Sequence, residues 1–233
     1  MTARLTVLYD NRLAPGASTS LRCGWGFSCL AEVPGGKVLF DAGFDGGLLL
    51  HNMAELRVDI RSVDAVVLSH PHWDHLGGLA RFLEARGDVP LYVPEGIPRH
   101  LRIELSNRAD VSVTGTEDGS RVVPGVRTTP ALGGELKEQA LVVDAGTGVL
   151  AVTGCCHPGF APVLDAASLH GRVRGILGGM HDAKDPGQLE NLSLVAPCHC
   201  TREPDRFPEL FPRTFRQVGV GSVVNVESKP QKA

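Results

Sequence analysis

One short segment, residues 69–79, constrains more than any other how this chain can fold. It reads Ser-His-Pro-His-Trp-Asp-His-Leu-Gly-Gly-Leu, and within six positions it holds His70, His72, Asp74 and His75. An apolar run at 65–68 precedes it and a helix-like run at 79–84 follows, so a buried strand should end where the polar cluster begins. Imidazole nitrogens and carboxylates are ligands for borderline metals such as Zn, Mn, Fe or Co. The alternative is a polar turn rich in histidine, but this spacing directly after a strand favours a metal site.

The composition is that of an ordinary globular chain. Its 233 residues suit one α/β domain or at most two small ones. We expect a single domain over 1–233, with 227–233 as a flexible tail. The net charge of −3 and the scattered basic residues argue against binding to nucleic acid or to a membrane. The first residues look like a strand rather than a signal peptide, and no apolar run reaches the roughly 18 residues that span a bilayer, so we expect a cytoplasmic protein.

The six cysteines are expected to be reduced thiols. They are Cys23, Cys29, Cys155, Cys156, Cys198 and Cys200. A chain of this length has enough apolar residues to fold without disulfides, which are also rare in the cytosol. The segments 155–157 and 198–200 combine cysteines with a histidine. We therefore interpret these thiols as neighbours of a metal or as small core residues.

Apolar runs and turn signals predict alternating strands and helices. Strands are expected over 5–9, 27–33, 37–40, 64–69, 91–93, 140–144, 149–153, 173–177 and 192–196, and helices over 48–56, 97–105 and 160–170. The segment 111–129 mixes β-branched residues with polar, Gly and Pro residues, which predicts short antiparallel strands. Polar residues follow several strands: Asp41, His70, Cys155 with His157, His181 and His199. Strand ends in layered α/β folds gather residues that are distant in sequence, so we expect these positions to meet at one rim.

These segments together resemble the signature of the metallo-β-lactamase superfamily. Beside the His-rich segment, the resemblance rests on Phe-Asp-Ala-Gly at 40–43, Thr-Gly-Cys-Cys-His-Pro-Gly at 153–159, Gly-Gly-Met-His at 178–181 and Pro-Cys-His-Cys-Thr at 197–201. The Gly-Cys-x-His and His-Cys-Thr variants resemble one branch in particular, the dihydropterin / ribofuranosylaminobenzene 5'-phosphate synthase-like hydrolases. The resemblance implies a four-layer αββα sandwich of the α/β class. Two mixed sheets would pack face to face, with helices outside and a dinuclear metal site at one edge.

The resemblance also implies a set of metal ligands. The first metal would be held by His70, His72 and His157, and the second by Asp74, His75 and His199. Many relatives place a bridging aspartate directly after Thr-Gly, where this chain has Cys155. Whether that thiolate binds metal stays open, because thiolates do bind zinc but the superfamily prefers oxygen there. The expected cofactors are two divalent ions, Zn²⁺ first, with Mn or Fe as alternatives.

Other residues have expected roles around such a site. Asp74 would also accept a hydrogen bond from the attacking nucleophile, and His181 would bind substrate or donate a proton to the leaving group. Asp41 would accept a hydrogen bond from a ligand imidazole and fix its tautomer. Arg202 would pair with an anionic substrate group, and Trp73 would line the mouth of the site. The alternatives are turn residues at Asp41 and His181 and a solvated charge at Arg202.

The chemistry that follows is hydrolysis. Two neighbouring ions that share a water lower its pKa toward neutrality and so supply a hydroxide at pH 7. We predict a metal-dependent hydrolase of a small-molecule ester, above all a phosphoester or cyclic phosphoester. Three alternatives remain open: a lactone or amide hydrolase, a di-iron redox or oxygen-handling protein, and a metal-stabilised binding module without turnover. A small-molecule substrate is the expected partner, and a homodimer is left open.

Overall fold

The computed structural model describes residues 3–182 and 184–226. Its strands are β1 (Ala3–Tyr9), β2 (Ser28–Val33), β3 (Gly36–Phe40), β4 (Ala65–Val67), β5 (Pro90–Pro94), β6 (Asp110–Thr114), β7 (Arg121–Val123), β8 (Val126–Thr128), β9 (Leu141–Asp144), β10 (Val149–Thr153), β11 (Val173–Gly179), β12 (Leu194–Cys198) and β13 (Val223–Val226). Its α-helices are α1 (Gly46–Glu55), α2 (Trp73–Leu76), α3 (Leu79–Arg86), α4 (Arg99–Ser106), α5 (Phe160–Ser168) and α6 (Phe207–Leu210). The predicted tail at 227–233 lies outside the described residues. Within the described ranges, no helix is long and apolar enough to cross a membrane.

The strands form two mixed sheets. The first has the order β13-β1-β2-β3-β4-β5-β6, and the second has the order β12-β11-β10-β9-β8-β7. In the first sheet, β3, β4, β5 and β6 are parallel; in the second, β10, β11 and β12 are parallel. The β2–β3 hairpin turns through Gly36, whose φ of 145° suits glycine and few other residues. The hairpin predicted between 140–144 and 149–153 is present as the antiparallel pair β9–β10.

Three apolar layers hold the sheets and helices together. The layer between the sheets contains Phe40 from the first sheet and Val152 from the second. The layer outside the first sheet contains Leu49 of α1 and Phe82 of α3, and the layer outside the second contains Phe160 of α5. Each fully buried side chain of this kind contributes about 1.5–3 kcal/mol of hydrophobic stabilisation. The arrangement confirms the predicted αββα sandwich, with two mixed sheets face to face and helices outside.

The prediction for 111–129 was partly wrong. β6 pairs in parallel with β5 and extends the first sheet, whereas only β7 and β8 form an antiparallel pair, in the second sheet. Alternation of side chains indicates a half-buried strand, but it does not encode the direction or the sheet of the partner strand. β6 has one buried residue, Thr114, so its sequence carries little of the apolar signal of a parallel strand.

The strand ends meet at one edge because of the strand directions. β1 and β3 are both antiparallel to β2, and β4 is parallel to β3, so β1, β3 and β4 end on the same side. β10, β11 and β12 end together in the facing sheet. The polar residues after these six strands are Asp10, Asp41, His70, Cys155, His181 and His199. These six side chains, which include possible metal ligands, are thereby collected at one rim of the sandwich.

Candidate metal centre

Three imidazoles form a first donor set at this rim. Their ligand nitrogens, from His70, His72 and His157, lie within 4.8 Å of one another, and His70 Nε2 is 3.0 Å from His72 Nδ1. The predicted strand at 64–69 ends already at Val67, which lets the chain turn toward the rim. The hydroxyl of Ser69 donates its one proton to Asp41, 2.7 Å away, and therefore accepts from His70 Nδ1 at 2.8 Å. The lone pair of His70 is thus on Nε2, within the donor set.

The imidazoles of the first donor set are held in the neutral form that binds metals. Burial and then the charges of neighbouring histidines hold the pKa of His70 well below its ordinary value. The same causes lower the pKa of His157 to about 4, and burial lowers the pKa of His72. His157 Nε2 is buried and has no hydrogen-bond partner in the described part of the chain. Such an atom costs on the order of 1–3 kcal/mol unless a ligand satisfies it.

A carboxylate and two imidazoles form the second donor set, next to the first. Their ligand atoms, from Asp74, His75 and His199, lie within 4.8 Å of one another. Asp74 Oδ2 is 3.2 Å from His199 Nε2 and 3.7 Å from His75 Nε2. His75 Nδ1 donates to Asp41 at 2.7 Å and His199 Nδ1 donates to Asn11 Oδ1 at 3.1 Å, so in the neutral rings both Nε2 atoms carry lone pairs. Three acceptors that face one another require a cation among them.

The pKa shifts in the second donor set show the same demand for positive charge. Burial opposes a charge on His75, but the Asp41 carboxylate and those of the more distant Asp74 and Glu138 together outweigh burial and raise the pKa of that imidazole. Burial also favours neutral Asp74, but its close contact with His199 and the charges of both histidines lower its pKa. A proton can supply the required charge, and a divalent metal can supply it in place of the proton. The side chains therefore fit a divalent ion.

Asp41 connects the two donor sets. It is fully buried, its Oδ2 accepts from Ser69 Oγ and from His75 Nδ1, and its Oδ1 accepts from the Ser69 backbone N–H at 2.7 Å. Its φ of 58° is unusual outside glycine, although aspartate tolerates it better than most residues. The carboxylate orients His75 directly and His70 through Ser69, which is the role of a residue behind a metal ligand.

Sequence reasoning missed Glu138. Its buried carboxylate accepts from the backbone N–H groups of Cys155 and Cys156, each at 2.9 Å, and of His157 at 2.8 Å. Burial raises the pKa of Glu138, and the three N–H donors oppose that rise. The carboxylate thereby holds the loop that follows β10. A glutamate just before the apolar strand β9 was the available signal, because a charge seldom enters a buried region without partners.

Asp10 and Asn11 hold the loop that follows β12, and they were also missed. Asp10 Oδ2 accepts from the backbone N–H of His199 at 2.9 Å, while Asn11 binds the imidazole. Asn11 Nδ2 donates to the His199 carbonyl at 3.3 Å, which orients the amide. These bonds support His199 in a left-handed conformation with φ of 51°. Asp10 follows β1 as Asp41 follows β3, so the strand-end rule could have found it.

Two thiols lie beside the donor sets. Cys155 Sγ is 3.2 Å from His75 Nε2, and it groups with His70 and His75 on one side. On the other side it groups with His199 and Cys200, again within 4.8 Å, and the two sulfur atoms are 3.3 Å apart. Sequence reasoning singled out Cys155 but gave Cys200 no role of its own. Cys155 lies between the two donor sets, where a bridging ligand would be placed.

Gly154 is one of the points where the two halves of the sandwich touch at the rim. A Cβ at this position would clash with Ser69 Oγ and would lie 3.1 Å from Asp41 Oδ2. The end of β10 therefore packs directly against the side chains that orient His70 and His75. Only a glycine allows this approach without displacing them.

A cleft of about 580 Å³ opens beside the donor sets. Its walls include Trp25, Trp73, Asp74, His157, His181 and Cys200. Trp73 is 66% exposed, which is unusual for a large aromatic residue. His181 Nδ1 lies 3.3 Å from Asp182, and Arg202 Nε lies 2.7 Å from the same carboxylate. Arg202 is mostly exposed and lines an adjoining hollow together with His181 rather than this cleft.

Comparison with known proteins identifies the fold and the family. The family model described as the metallo-beta-lactamase superfamily matches residues 26–167, and the chain belongs to that superfamily. It is 24% identical, over 264 aligned positions, to the 7,8-dihydropterin-6-methyl-4-(beta-D-ribofuranosyl)-aminobenzene-5'-phosphate synthase of Methanocaldococcus jannaschii, covering 85% of this chain and 89% of that protein. Tm1679, a metal-dependent hydrolase of the β-lactamase superfamily, superposes with a TM-score of 0.75 at 23% identity, covering 95% of this chain and 98% of Tm1679. A diphosphatase of the PhnP family superposes with a TM-score of 0.64 at 16% identity, covering 97% of each chain.

These findings confirm the resemblance to the superfamily and to its dihydropterin / ribofuranosylaminobenzene phosphate synthase-like branch. The chain is an enzyme of the metallo-β-lactamase fold, a metallo-hydrolase. The fold implies a divalent metal, and the His, Asp and Cys cluster at the rim has the donors to bind one.

Proposed function

We propose that this enzyme hydrolyses a small-molecule ester, above all a phosphoester or cyclic phosphoester, with two divalent ions of which Zn²⁺ is the first choice. The observation that carries the proposal is the pair of adjacent donor sets, in which the buried Nε2 atoms of His157 and His199 have no hydrogen-bond partner in the described part of the chain. Two ions bound there would activate a water molecule for attack and polarise the ester. Cys155 lies between the two sets and would belong to both.

The phosphoester part of the proposal is supported by the relative and by the charges near the cleft. The relative from M. jannaschii carries a 5'-phosphate in its name and aligns over most of both chains. On this chain, His181 lines the cleft and Arg202 lies next to His181 through Asp182. A guanidinium suits phosphate, and Arg202 would reach a substrate oxygen by leaving its exposed ion pair, which is worth only about 0–1 kcal/mol.

Other residues in and behind the cleft would have separate roles in proton transfer, substrate packing and positioning of the donors. Asp74 carries a carboxylate at the floor of the cleft and would accept a proton from the attacking water. His181 faces Asp182 through Nδ1, and its ring would hydrogen-bond the leaving oxygen of the substrate. Trp73 would pack against the organic part of the substrate. The hydrogen bonds of Asp41 and Glu138 would keep the donors in place during the reaction.

Metal reconstitution followed by a substrate panel tests this proposal. The full chain is stripped with a chelator and reloaded separately with Zn²⁺, Mn²⁺ or Fe²⁺. Each form is assayed on chromogenic phosphomonoesters, phosphodiesters, a cyclic phosphodiester, a lactone and an anilide. We expect two ions per chain by elemental analysis, and metal-dependent turnover that is fastest on one of the phosphoesters.

A matched pair of histidine variants provides the control. His72→Ala should abolish turnover, whereas His100→Ala, at an exposed position on α4, should leave it unchanged. Faster cleavage of the lactone or the anilide would replace the phosphoester assignment. Absence of hydrolysis in every metal form would refute the ester-hydrolase proposal, and a coloured Fe form that reduces oxygen would support the redox alternative instead.

A further inference from the structure

The rim carries two thiols in addition to the two donor sets, each of which already has three ligand side chains. Cys155 follows β10 and Cys200 follows β12, so two separate strands deliver sulfur atoms to within 3.3 Å of each other. Cys155 is buried, and Cys200 is partly exposed on the wall of the cleft. Cys29 and Cys198, in contrast, belong to the apolar layer between the sheets. The juxtaposition of Cys155 and Cys200 therefore calls for its own explanation.

The spacing of these thiols and their neighbours is that of ligands to one ion. Donor atoms of Cys155, His199 and Cys200 all lie within 4.8 Å of one another. With Zn–S near 2.3 Å and Zn–N near 2.0–2.1 Å, the donors of a tetrahedral ion are separated by roughly 3.3–3.8 Å. Cys155 Sγ is also 3.2 Å from His75 Nε2, so the thiols adjoin the second donor set rather than a separate place.

The backbone around both thiols is built to hold them. Glu138 accepts from the N–H of Cys155 at 2.9 Å and so anchors that residue. Thr201 closes the turn around Cys200, because its N–H and its hydroxyl both bind the Cys198 carbonyl, at 3.1 and 2.7 Å. A Cβ at Gly179 would lie 2.8 Å from Cys200 Sγ. The glycine thus leaves the space that the second thiol occupies.

We propose that Cys155 and Cys200 are both thiolate ligands of the ion at the second donor set, together with His199. The inference rests on the metal-binding part of the proposed function and adds a sulfur-rich donor set to it. Each thiol gives its proton to solvent as its sulfur binds the ion. Thiolate ligands select Zn²⁺, Co²⁺ or Cd²⁺ over Mg²⁺ or Mn²⁺. This position should therefore discriminate among metals more strongly than the all-imidazole first donor set.

Cobalt substitution tests the proposal without relying on turnover. Bonds between Co²⁺ and thiolate sulfur give an intense near-ultraviolet charge-transfer band, which imidazole and carboxylate ligands do not give. The full chain is loaded with Co²⁺ as wild type, Cys155→Ser, Cys200→Ser, the double variant and Cys23→Ser. Cys23 is exposed and is a matched control. Circular dichroism checks that each variant is folded.

We expect the band in the wild type and in Cys23→Ser, a band reduced by about half in Cys200→Ser, and none in the double variant. The double variant should still bind Co²⁺ at His70, His72 and His157. A Cys200→Ser spectrum equal to that of the wild type would overturn the role of Cys200, and a wild type without the band would overturn the proposal as a whole.

Thiol reactivity provides a second measurement on the unmodified protein. An aromatic disulfide reagent should modify Cys23 and Cys200 in the metal-free protein but only Cys23 once Zn²⁺ is bound. Equal reaction of Cys200 with and without Zn²⁺ would count against ligation, as would a Cys155–Cys200 disulfide in protein that retains both ions. Ester turnover without the cobalt band would refute thiolate ligation and leave the hydrolase function standing. The cobalt band without turnover on any substrate would support thiolate ligation and refute the hydrolase function.

Discussion

The two donor sets lie at the same rim but differ in chemistry. The first consists of imidazoles alone, and burial lowers the pKa of each one. The second combines the carboxylate of Asp74 with two imidazoles, and the Asp41 carboxylate raises the pKa of His75. The first is thus ready to bind metal as a neutral cluster, whereas the second attracts a positive charge of any kind, including a proton. One fold can therefore present two adjacent donor sets of unequal chemistry.

Removing a ligand from the first donor set should have the largest effect. His157→Ala deletes the imidazole that the second sheet contributes to that set. We expect loss of one ion and a fall in kcat/KM of more than about 100-fold, beyond the 10–100-fold typical of residues behind the ligands. Elemental analysis and the ester assay measure both quantities. Full metal content together with wild-type turnover would show that His157 is not a ligand.

Glu138→Gln tests how the loop that carries His157 is held. Glutamine is neutral and offers one acceptor oxygen to three backbone N–H groups, so all three lose a charged partner and at least one loses its acceptor. We expect about 1–3 kcal/mol less stability in denaturant unfolding of the metal-free protein. We also expect metal affinity to fall toward the upper part of the 10–100-fold range. An unchanged midpoint and unchanged affinity would mean that the loop holds its shape without the carboxylate.

Asp41→Asn should act more weakly and mainly on the second donor set. Asparagine tolerates the φ of 58°, so the backbone is preserved, but one carboxylate oxygen becomes an NH₂ group that faces other donors. The His75 tautomer then loses its fixed partner, and we expect about a 10-fold loss of affinity for the second ion. Titration calorimetry resolves the two binding steps. A larger loss of affinity for the ion of the first donor set would show that Asp41 acts mainly on that set.

Lowering the pH of the wild-type protein should release metal from the second donor set before the first. The pKa of His157 is lowered to about 4 and those of His70 and His72 are also lowered, so as the pH falls from 7 to 5 the first set takes up protons later than the second. The pKa of His75 is raised, so in that window a proton competes with the metal for the second set. Dialysis at stepwise lower pH, followed by elemental analysis, should show the content falling from two ions to one. Simultaneous loss of both ions would contradict the inferred difference between the two donor sets.

The sequence predicted the parts of the molecule that depend on local pattern. His70 and His72 lie on one short segment after a strand, and the resemblance extended the ligand set to His157 and His199. Glu138, Asp10 and Asn11 were missed, and Cys200 was given no role of its own, because their contacts depend on the path of distant backbone, which no local spacing reports. β6 was misassigned for a related reason, since the direction of a partner strand leaves no mark on side-chain periodicity. Residues that hold the donors are therefore harder to predict than the donors themselves.

Gly154 limits the routes by which this enzyme can diversify. Any side chain at that position would press on Ser69 and Asp41 and so would disturb both donor sets in one mutational step. No substitution there can alter the chemistry gradually. Substitutions around the site are better tolerated at Trp73, on the wall of the cleft, and at Arg202, in the adjoining hollow, because both side chains are exposed and can be exchanged at little cost to folding. The packing at Gly154 thus leaves the exposed surface around the site, rather than the strand end behind the donors, as the place where substitutions disturb the donor sets least.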